Sequence, residues 1–266
     1  MARERRDGFR AVILDVDGVL VDSPHEHAWR EALQELMEGP WRDIRGSTSW
    51  EPGAPAPDVY REVISGRPRM SGARAALEHY GVPDVAERVE VYAARKQAMV
   101  VELIEAGRFT AYPDALGFVL AVRAAGIRLA TASSSRNARL LLGRIRLDVF
   151  ARENGLTHDF VTPGLSLLGL IDVDVSGRRF ELGKPHPEIF LTAAAELGCP
   201  PDRCVVVEDA VSGIQAATAG GMRALGVARA DDARMLADAG AALVVTSLDR
   251  VDVAGLTRGL LTAKGR

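Results

Sequence analysis

RAVILDVDGVLVDS, residues 10–23, sets a short apolar, β-branched run directly against two aspartates and a glycine. A continuous apolar run of this length suits a strand covered on both faces, as in a parallel sheet. Asp15 and Asp17 stand where that strand ends. In open α/β sheets the carboxyl ends of the strands form the binding crevice. Two carboxylates side by side there are costly to bury unless a cation compensates them, and a divalent metal bound through oxygen would do so. A capping aspartate at a strand–loop junction accounts for one such acid more easily than for a pair.

Outward from this stretch, runs of the same kind recur at GIRLATA (126–132), RCVVVED (203–209), MRALGVA (222–228) and AALVVTS (241–247). Helical patterns lie between them. PDALGFVLAVRAAG (113–126) and PEIFLTAAAELG (187–198) each start on proline and end on glycine, which are start and stop signals for a helix. VSGIQAATAGG (211–221) is small and apolar, as a helix pressed on a sheet requires. Strand–helix alternation predicts an α/β fold. The alternation breaks between 23 and 107, where AWREALQELMEG, RPRMSGARAALEHYG and DVAERVEVYAARKQAMVVELIEAG carry helical patterns and EPGAPAPDVY a proline-rich loop. The expected organisation is a catalytic core from 1–22 and 108–266, with 23–107 inserted as a helical cap. Residues 153–182 are longer than a usual connection and are expected to hold a hairpin around Ser176-Gly177.

Three further elements carry chemistry. Glu208-Asp209 ends a second buried strand in a second acidic pair, so two strand ends can converge on one metal. Thr131-Ala132-Ser133-Ser134-Ser135-Arg136-Asn137 brings hydroxyls and backbone N–H groups to a strand end that leads into a helix, where a phosphate can be held. Serine at a helix N-cap is common, so this element is weak alone. Lys184, in GKPHP (183–187), is held in a stiff loop before a helix and can neutralise an acidic nucleophile and its phosphate.

Composition narrows the class. Lys+Arg is 33 and Asp+Glu 36, for a formal net charge of −3, and 47% of residues are hydrophobic. Nothing in that balance calls for nucleic acid or an anionic membrane as a partner. The arginines of MARERRDGFR are expected to form a solvated tail. The two cysteines, Cys199 and Cys204, are too few for a disulfide framework and lack zinc spacing. No apolar run approaches the ~20 residues of a membrane span, and the aspartates in AVILDVDGVLV make a poor signal-peptide core. A soluble cytoplasmic protein is expected, working as a monomer or weak dimer.

Together the four elements resemble the haloacid dehalogenase superfamily. LDVDGVLVDS matches its first motif, TASSS its second, GKPHPEIF its third and VVVEDAVSGIQAA its fourth, in order and over nearly the whole chain. The resemblance implies a Rossmann-like parallel-sheet core with a small helical cap and Mg²⁺-dependent phosphoryl transfer through an aspartyl-phosphate. It implies Asp15 as nucleophile and Asp17 as general acid/base, with Ser133 and Lys184 holding the transferring phosphoryl. It implies a Mg²⁺ site from Asp15, Asp17 (through its main-chain carbonyl) and Asp209, with Glu208 in support. Asp17 favours phosphate chemistry, because branches that cleave carbon–halogen bonds resemble the pattern but lack this second aspartate. Within the superfamily the chain is most similar to the β-phosphoglucomutase branch. That similarity places His27, Arg69 and Lys96 in the cap, and Ser134, Ser135 and Asn137 in the serine-rich loop, as contacts to a small sugar phosphate. Gly72 stands where a hydroxyl is expected from the family. A phosphatase of small phosphorylated metabolites is the alternative, and a non-catalytic binding module a third reading. The intact Asp15, Asp17, Lys184 and Asp209 argue against the module.

Overall fold

The computed structural model describes residues 8–64, 67 and 69–265. The arginines before Gly8, and Gly66 and Pro68 of the GRPRM stretch, lie outside the described residues. The chain divides into two compact units, one from the residues up to Asp22 and from Thr110 onward, the other Ser23–Phe109.

The first unit is built on β1 (Ala11–Leu14), all four of whose residues are buried. Its other strands are β2 (Val21–Asp22), β3 (Thr110–Ala111), β4 (Arg128–Thr131), β5 (Val173–Asp174), β6 (Cys204–Glu208), β7 (Arg223–Val227) and β8 (Leu243–Val245). Six of these form one parallel sheet in the order β5-β4-β1-β6-β7-β8. The apolar runs thus become strands because both their faces are covered. On one face Ile13, Ala130 and Val206 pack with Phe190 and Ala193 of helix Glu188–Glu196 and with Ile214 and Ala217 of helix Val211–Ala219. Helix Pro113–Ala124, with proline in its first turn, packs on β4. β2 and β3 form a separate antiparallel pair. With β1 in the middle, its carboxyl end lies between those of β4 and β6, the topological switch point where α/β sheets bind ligands.

The segment 153–182 departs from expectation. It holds a short helix, Leu167–Leu170, and then β5, which joins the sheet edge parallel to β4 through Ala130↔Val173 and Thr131↔Asp174. A turn follows at Ser176-Gly177, but among the described residues no antiparallel strand pairs with β5. The hairpin is therefore not formed. The polar groups of the turn are engaged by β4 and its loop instead: Ser176 Oγ accepts from Ser133 N at 3.2 Å and Gly177 N donates to Ser133 O at 2.9 Å.

The second unit is helical: His25–Glu38, Pro57–Val59 running into a wide turn at Tyr60–Ile64, Arg69–His79 and Val85–Glu105. Its core gathers Trp29, Leu33, Met37, Trp41, Leu77 and Tyr92. A side-chain carbon on Gly72 would stand 3.4 Å from both Ile64 Cγ2 and Trp29 Cζ2, so this position faces the packed core and leaves little room for a hydroxyl. Tyr92 is fully buried, its ring edge-on to Trp29 at 5.1 Å and its hydroxyl donating to the Trp29 carbonyl at 2.9 Å. Among the described residues no helix is long and apolar enough to cross a membrane. Replacing Tyr92 by Phe keeps the ring and removes the bond, and should cost about 1 kcal/mol. Urea denaturation of the variant should show that loss, and an unchanged midpoint would show that the hydroxyl contributes nothing.

Candidate active site

The parallel register decides which side chains meet. Leu14 lies beside Val207 of β6 and Thr131 of β4, so the next residues, Asp15, Glu208 and Ala132, follow side by side at the carboxyl ends of the three strands. Asp15 N donates to Val207 O at 3.0 Å and Ala132 N to Leu14 O at 2.9 Å, which carries the pairing past the formal strand ends. Asp15 and Glu208 are both buried.

Lys184 answers these buried acids. Its Nζ donates to Asp15 Oδ1 and to Glu208 Oε1, each at 2.5 Å, and lies 4.9 Å over the Phe190 ring. The other Glu208 oxygen, Oε2, accepts from the N–H groups of Asp209 and Ala210 at 3.0 Å each, and Asp15 Oδ2 accepts from Val16 N at 2.6 Å. Both Glu208 oxygens are thus engaged, which makes it a brace for Lys184 and for the turn bearing Asp209. Two glycines make room for this. A side-chain carbon at Gly213 would fall 1.9 Å from the Glu208 carboxylate, and one at Gly18, whose φ is +79°, would fall 1.8 Å from Asp209 Oδ2.

The charge balance leaves a deficit of cations. Burial pushes the Asp15 carboxyl up to about 7, with Lys184 opposing and Glu208 and Asp17 adding to the rise. Burial, then repulsion from Glu208 and Asp15, pushes Asp209 up to about 8. Burial works against the Lys184 ammonium, but Asp15 and Glu208 outweigh it and hold its pKa above the ordinary value. Two buried carboxylates, Asp15 and Glu208, share one ammonium, the half-buried Asp209 stands close by, and the oxygens of all three are hard donors. The chemistry of this donor set suits a hard divalent cation such as Mg²⁺. Among the described residues no group of three or more His, Cys, Asp or Glu side chains is arranged to hold a metal ion on its own.

The serine-rich loop follows β4. Ser133 and Asn137 are buried, Ser135 is half-buried and Ser134 exposed. Ser133 Oγ accepts from Ser135 N at 3.2 Å, and Ser135 Oγ from Asn137 N at 3.3 Å. One group that the sequence reading missed braces this loop. Asp174 Oδ1 accepts from Thr131 Oγ1 and from Ser176 N, both at 3.0 Å. An acid at the end of an apolar pair in a long connection was its only signal.

In the helical unit, Lys96 is buried, with Nζ 3.2 Å from His25 Nδ1 and 4.9 Å over the Trp29 ring. Arg69 donates to Gln97 Oε1 at 2.9 Å, so Arg69 reaches the neighbour of Lys96. His27 is not part of this group: it is half exposed, with Nδ1 3.9 Å from Glu31 Oε1. The histidine beside Lys96 is His25. Helical spacing could have shown it, since His25 and buried Trp29 are four residues apart on one face.

The sequence profile of the haloacid dehalogenase-like hydrolases matches residues 9–221. A β-phosphoglucomutase of Mycobacterium bovis is 32% identical over 254 residues, covering 90% of each chain. A phosphorylated carbohydrates phosphatase of Thermotoga maritima is 29% identical over 240 residues, covering 89% of this chain and 94% of its own. Among solved structures, an archaeal β-phosphoglucomutase from Pyrococcus sp. strain ST 04 superposes with a TM-score of 0.66 at 29% identity, over 92% of this chain and 96% of that one.

Removing the shared ammonium should expose the cost of the buried acids. Lys184→Met leaves Asp15 and Glu208 without their cation, and in metal-free buffer at pH 8 it should cost about 3–5 kcal/mol of stability. The raised Asp15 pKa sets the sign. A carboxyl whose folded pKa lies above its unfolded value becomes a growing liability as pH rises through that range. The deficit of Lys184→Met should therefore shrink toward pH 5. Chemical denaturation at the two pH values checks this, and a pH-independent deficit would contradict it.

Proposed function

This chain belongs to the haloacid dehalogenase-like hydrolase family, in its β-phosphoglucomutase-like branch, and from that premise we propose that it moves the phosphoryl group of a small phosphorylated sugar through an aspartyl-phosphate on Asp15. As a member of that family it is an enzyme of phosphoryl transfer or phosphate-ester hydrolysis. The observation that carries the proposal is the 2.5 Å contact of Lys184 with both Asp15 and Glu208 at the carboxyl end of the central strand.

In the proposed reaction an Asp15 oxygen attacks phosphorus and the ester P–O bond breaks. Asp17 gives its proton to the leaving oxygen. The acyl phosphate then passes to an acceptor hydroxyl, which loses its proton to Asp17. Phosphoryl transfer asks the protein mainly for positioning and for neutral surroundings to the equatorial oxygens. Lys184 and the Ser133 loop supply part of that. A bound Mg²⁺ would supply the remaining positive charge at the phosphoryl oxygens. Glu208 keeps Lys184 aimed, and Asp174 with Ser176 keeps the Ser133 loop against the sheet.

Whether the acceptor is a second sugar oxygen or water separates a mutase from a phosphatase. The mutase is favoured by the group Lys96, His25, Arg69 and Gln97 in the helical unit. A hexose bisphosphate intermediate has a distal phosphate that needs cations of its own, since in this proposal Lys184 serves the reacting one. The phosphatase reading rests on similarity to the Thermotoga maritima enzyme, whose name describes hydrolysis of phosphorylated carbohydrates.

Three outcomes test the proposal. Asp15→Asn should stay folded and lose turnover by several orders of magnitude, measured on β-glucose 1-phosphate with a bisphosphate primer while both glucose 6-phosphate and free phosphate are followed. Exhaustive chelation of divalent ions should abolish activity, and added Mg²⁺ should restore it. Arg69→Ala should lower isomerisation about ten- to a hundredfold, the loss of one charge-assisted contact, and leave hydrolysis of an aryl monophosphate almost unchanged. Rapid phosphate release with no isomerisation of any hexose 1-phosphate, and no effect of Arg69→Ala on it, would assign the chain to the phosphatases.

A further inference from the structure

Asp17 is carried by a tight loop directly after β1. Gly18 N donates to Val21 O at 2.8 Å, and Leu20 N and Val21 N both donate to Val16 O, at 2.9 and 3.0 Å. These bonds close the loop on itself but leave the carbonyls of Gly18 and Val19 facing outward. Both are taken by one side chain from the far end of the sequence. Arg229, two residues past β7, donates through Nε to Gly18 O at 3.1 Å and through Nη2 to Val19 O at 3.0 Å.

The same guanidinium is held from two other sides. Its Nη1 donates to Asp114 Oδ2 at 2.9 Å, and that oxygen also accepts from Leu248 N at 2.8 Å. Its plane lies over the Tyr112 ring, 3.8 Å from the centroid, and Tyr112 N donates to Leu20 O at 3.0 Å, which returns to the Asp17 loop. The Arg229 and Asp114 side chains are only 19% and 11% exposed. A planar fork with fixed donors suits this task, and a lysine ammonium does not. An ion pair serving stability alone would need Asp114 and nothing more. Here two of the three donating nitrogens are spent on the peptide groups that immediately follow Asp17. Gly18 also abuts the Asp209 carboxylate, with no room for a side-chain carbon. The loop is held by Arg229 and closely approached by Asp209.

We propose that Arg229 is a positioning residue for proton transfer: it fixes the Gly18–Val19 backbone so that the Asp17 carboxyl meets the leaving oxygen. This rests on the reading of Asp17 as general acid/base. Arg229 touches no reacting atom, so its loss should not weaken every step alike. It should weaken the step in which a poor leaving group needs a well-placed proton.

The test is single-turnover release of the leaving group from p-nitrophenyl phosphate, whose leaving group needs little protonation, and from glycerol phosphate, whose alkoxide needs it fully. Asp17→Ala sets the reference and should lose ~10²–10⁴-fold on the alkyl ester, with much less on the nitrophenyl ester. Arg229→Ala should lose about ten- to a hundredfold on the alkyl ester, the usual effect of a small misplacement, and change little on the nitrophenyl ester. Methylguanidine should restore part of the Arg229→Ala loss and none of the Asp17→Ala loss. Arg229→Lys keeps the charge without the fork and should show the same selectivity in smaller measure; it carries the comparison if Arg229→Ala does not fold. Equal losses on both esters in the Arg229 variants, with Asp17→Ala still selective, would overturn the inference and leave Arg229 a stabilising residue. Equal losses in Asp17→Ala as well would overturn the acid/base reading and the inference with it.

Discussion

An ammonium shared by two buried carboxylates is the constraint around which the first unit is arranged. Lys184 stands 2.5 Å from Asp15 and from Glu208, in a place where an unpaired charge of either sign would be expensive. The sheet order brings it about. Only because β6 pairs directly with β1 do Asp15 and Glu208 emerge as neighbours, and only because helix Glu188–Glu196 packs on β1 does the loop before it deliver Lys184 to them. Buried ion clusters are poor sources of stability. This one holds the Asp15 carboxyl buried beside a fixed ammonium, which partly offsets the cost of its charge. Burial and the neighbouring acids push the Asp15 and Asp209 carboxyls up, and under the proposed function a bound metal ion would supply the missing positive charge.

Within each unit the contacts share a pattern, in which each candidate site segment is held by a neighbouring group. Glu208 secures Lys184 and the Asp209 turn. Asp174 and Ser176 secure the Ser133 loop. Arg229 secures the loop after Asp17. In the helical unit Trp29 and His25 enclose Lys96 in the same manner. Chemistry that depends on placement rather than on exotic functional groups needs this kind of scaffolding.

The parts legible in the sequence were those with local signatures. Asp15, Asp17, Glu208 and Asp209 could be found because each pair interrupts an apolar strand, and Lys184 because GKPHP stiffens the chain before a helix. All five parallel strands recognised as apolar runs are present in the sheet. The two-residue β5 was not legible, since its pairing depends on Thr131 and Ala130 rather than on its own pattern. The turn at Ser176-Gly177 has the composition of a hairpin turn, but its partner is the serine-rich loop. His27 was named from the family resemblance, whereas the histidine beside Lys96 is His25, four residues before the buried Trp29 on its helix. Arg229 left no local trace at all. Its partners Gly18, Val19 and Asp114 are more than a hundred residues away in the chain.

The central claim is that Asp15 carries the phosphoryl group in passing. The most direct measurement is to quench the working enzyme in acid during turnover of a sugar phosphate, digest it, and locate the acyl phosphate by mass spectrometry. The account predicts phosphate on the peptide containing Asp15, discharged by hydroxylamine and absent from Asp15→Asn. Turnover at full rate with no phosphate on that peptide, or the same label persisting in Asp15→Asn, would contradict it.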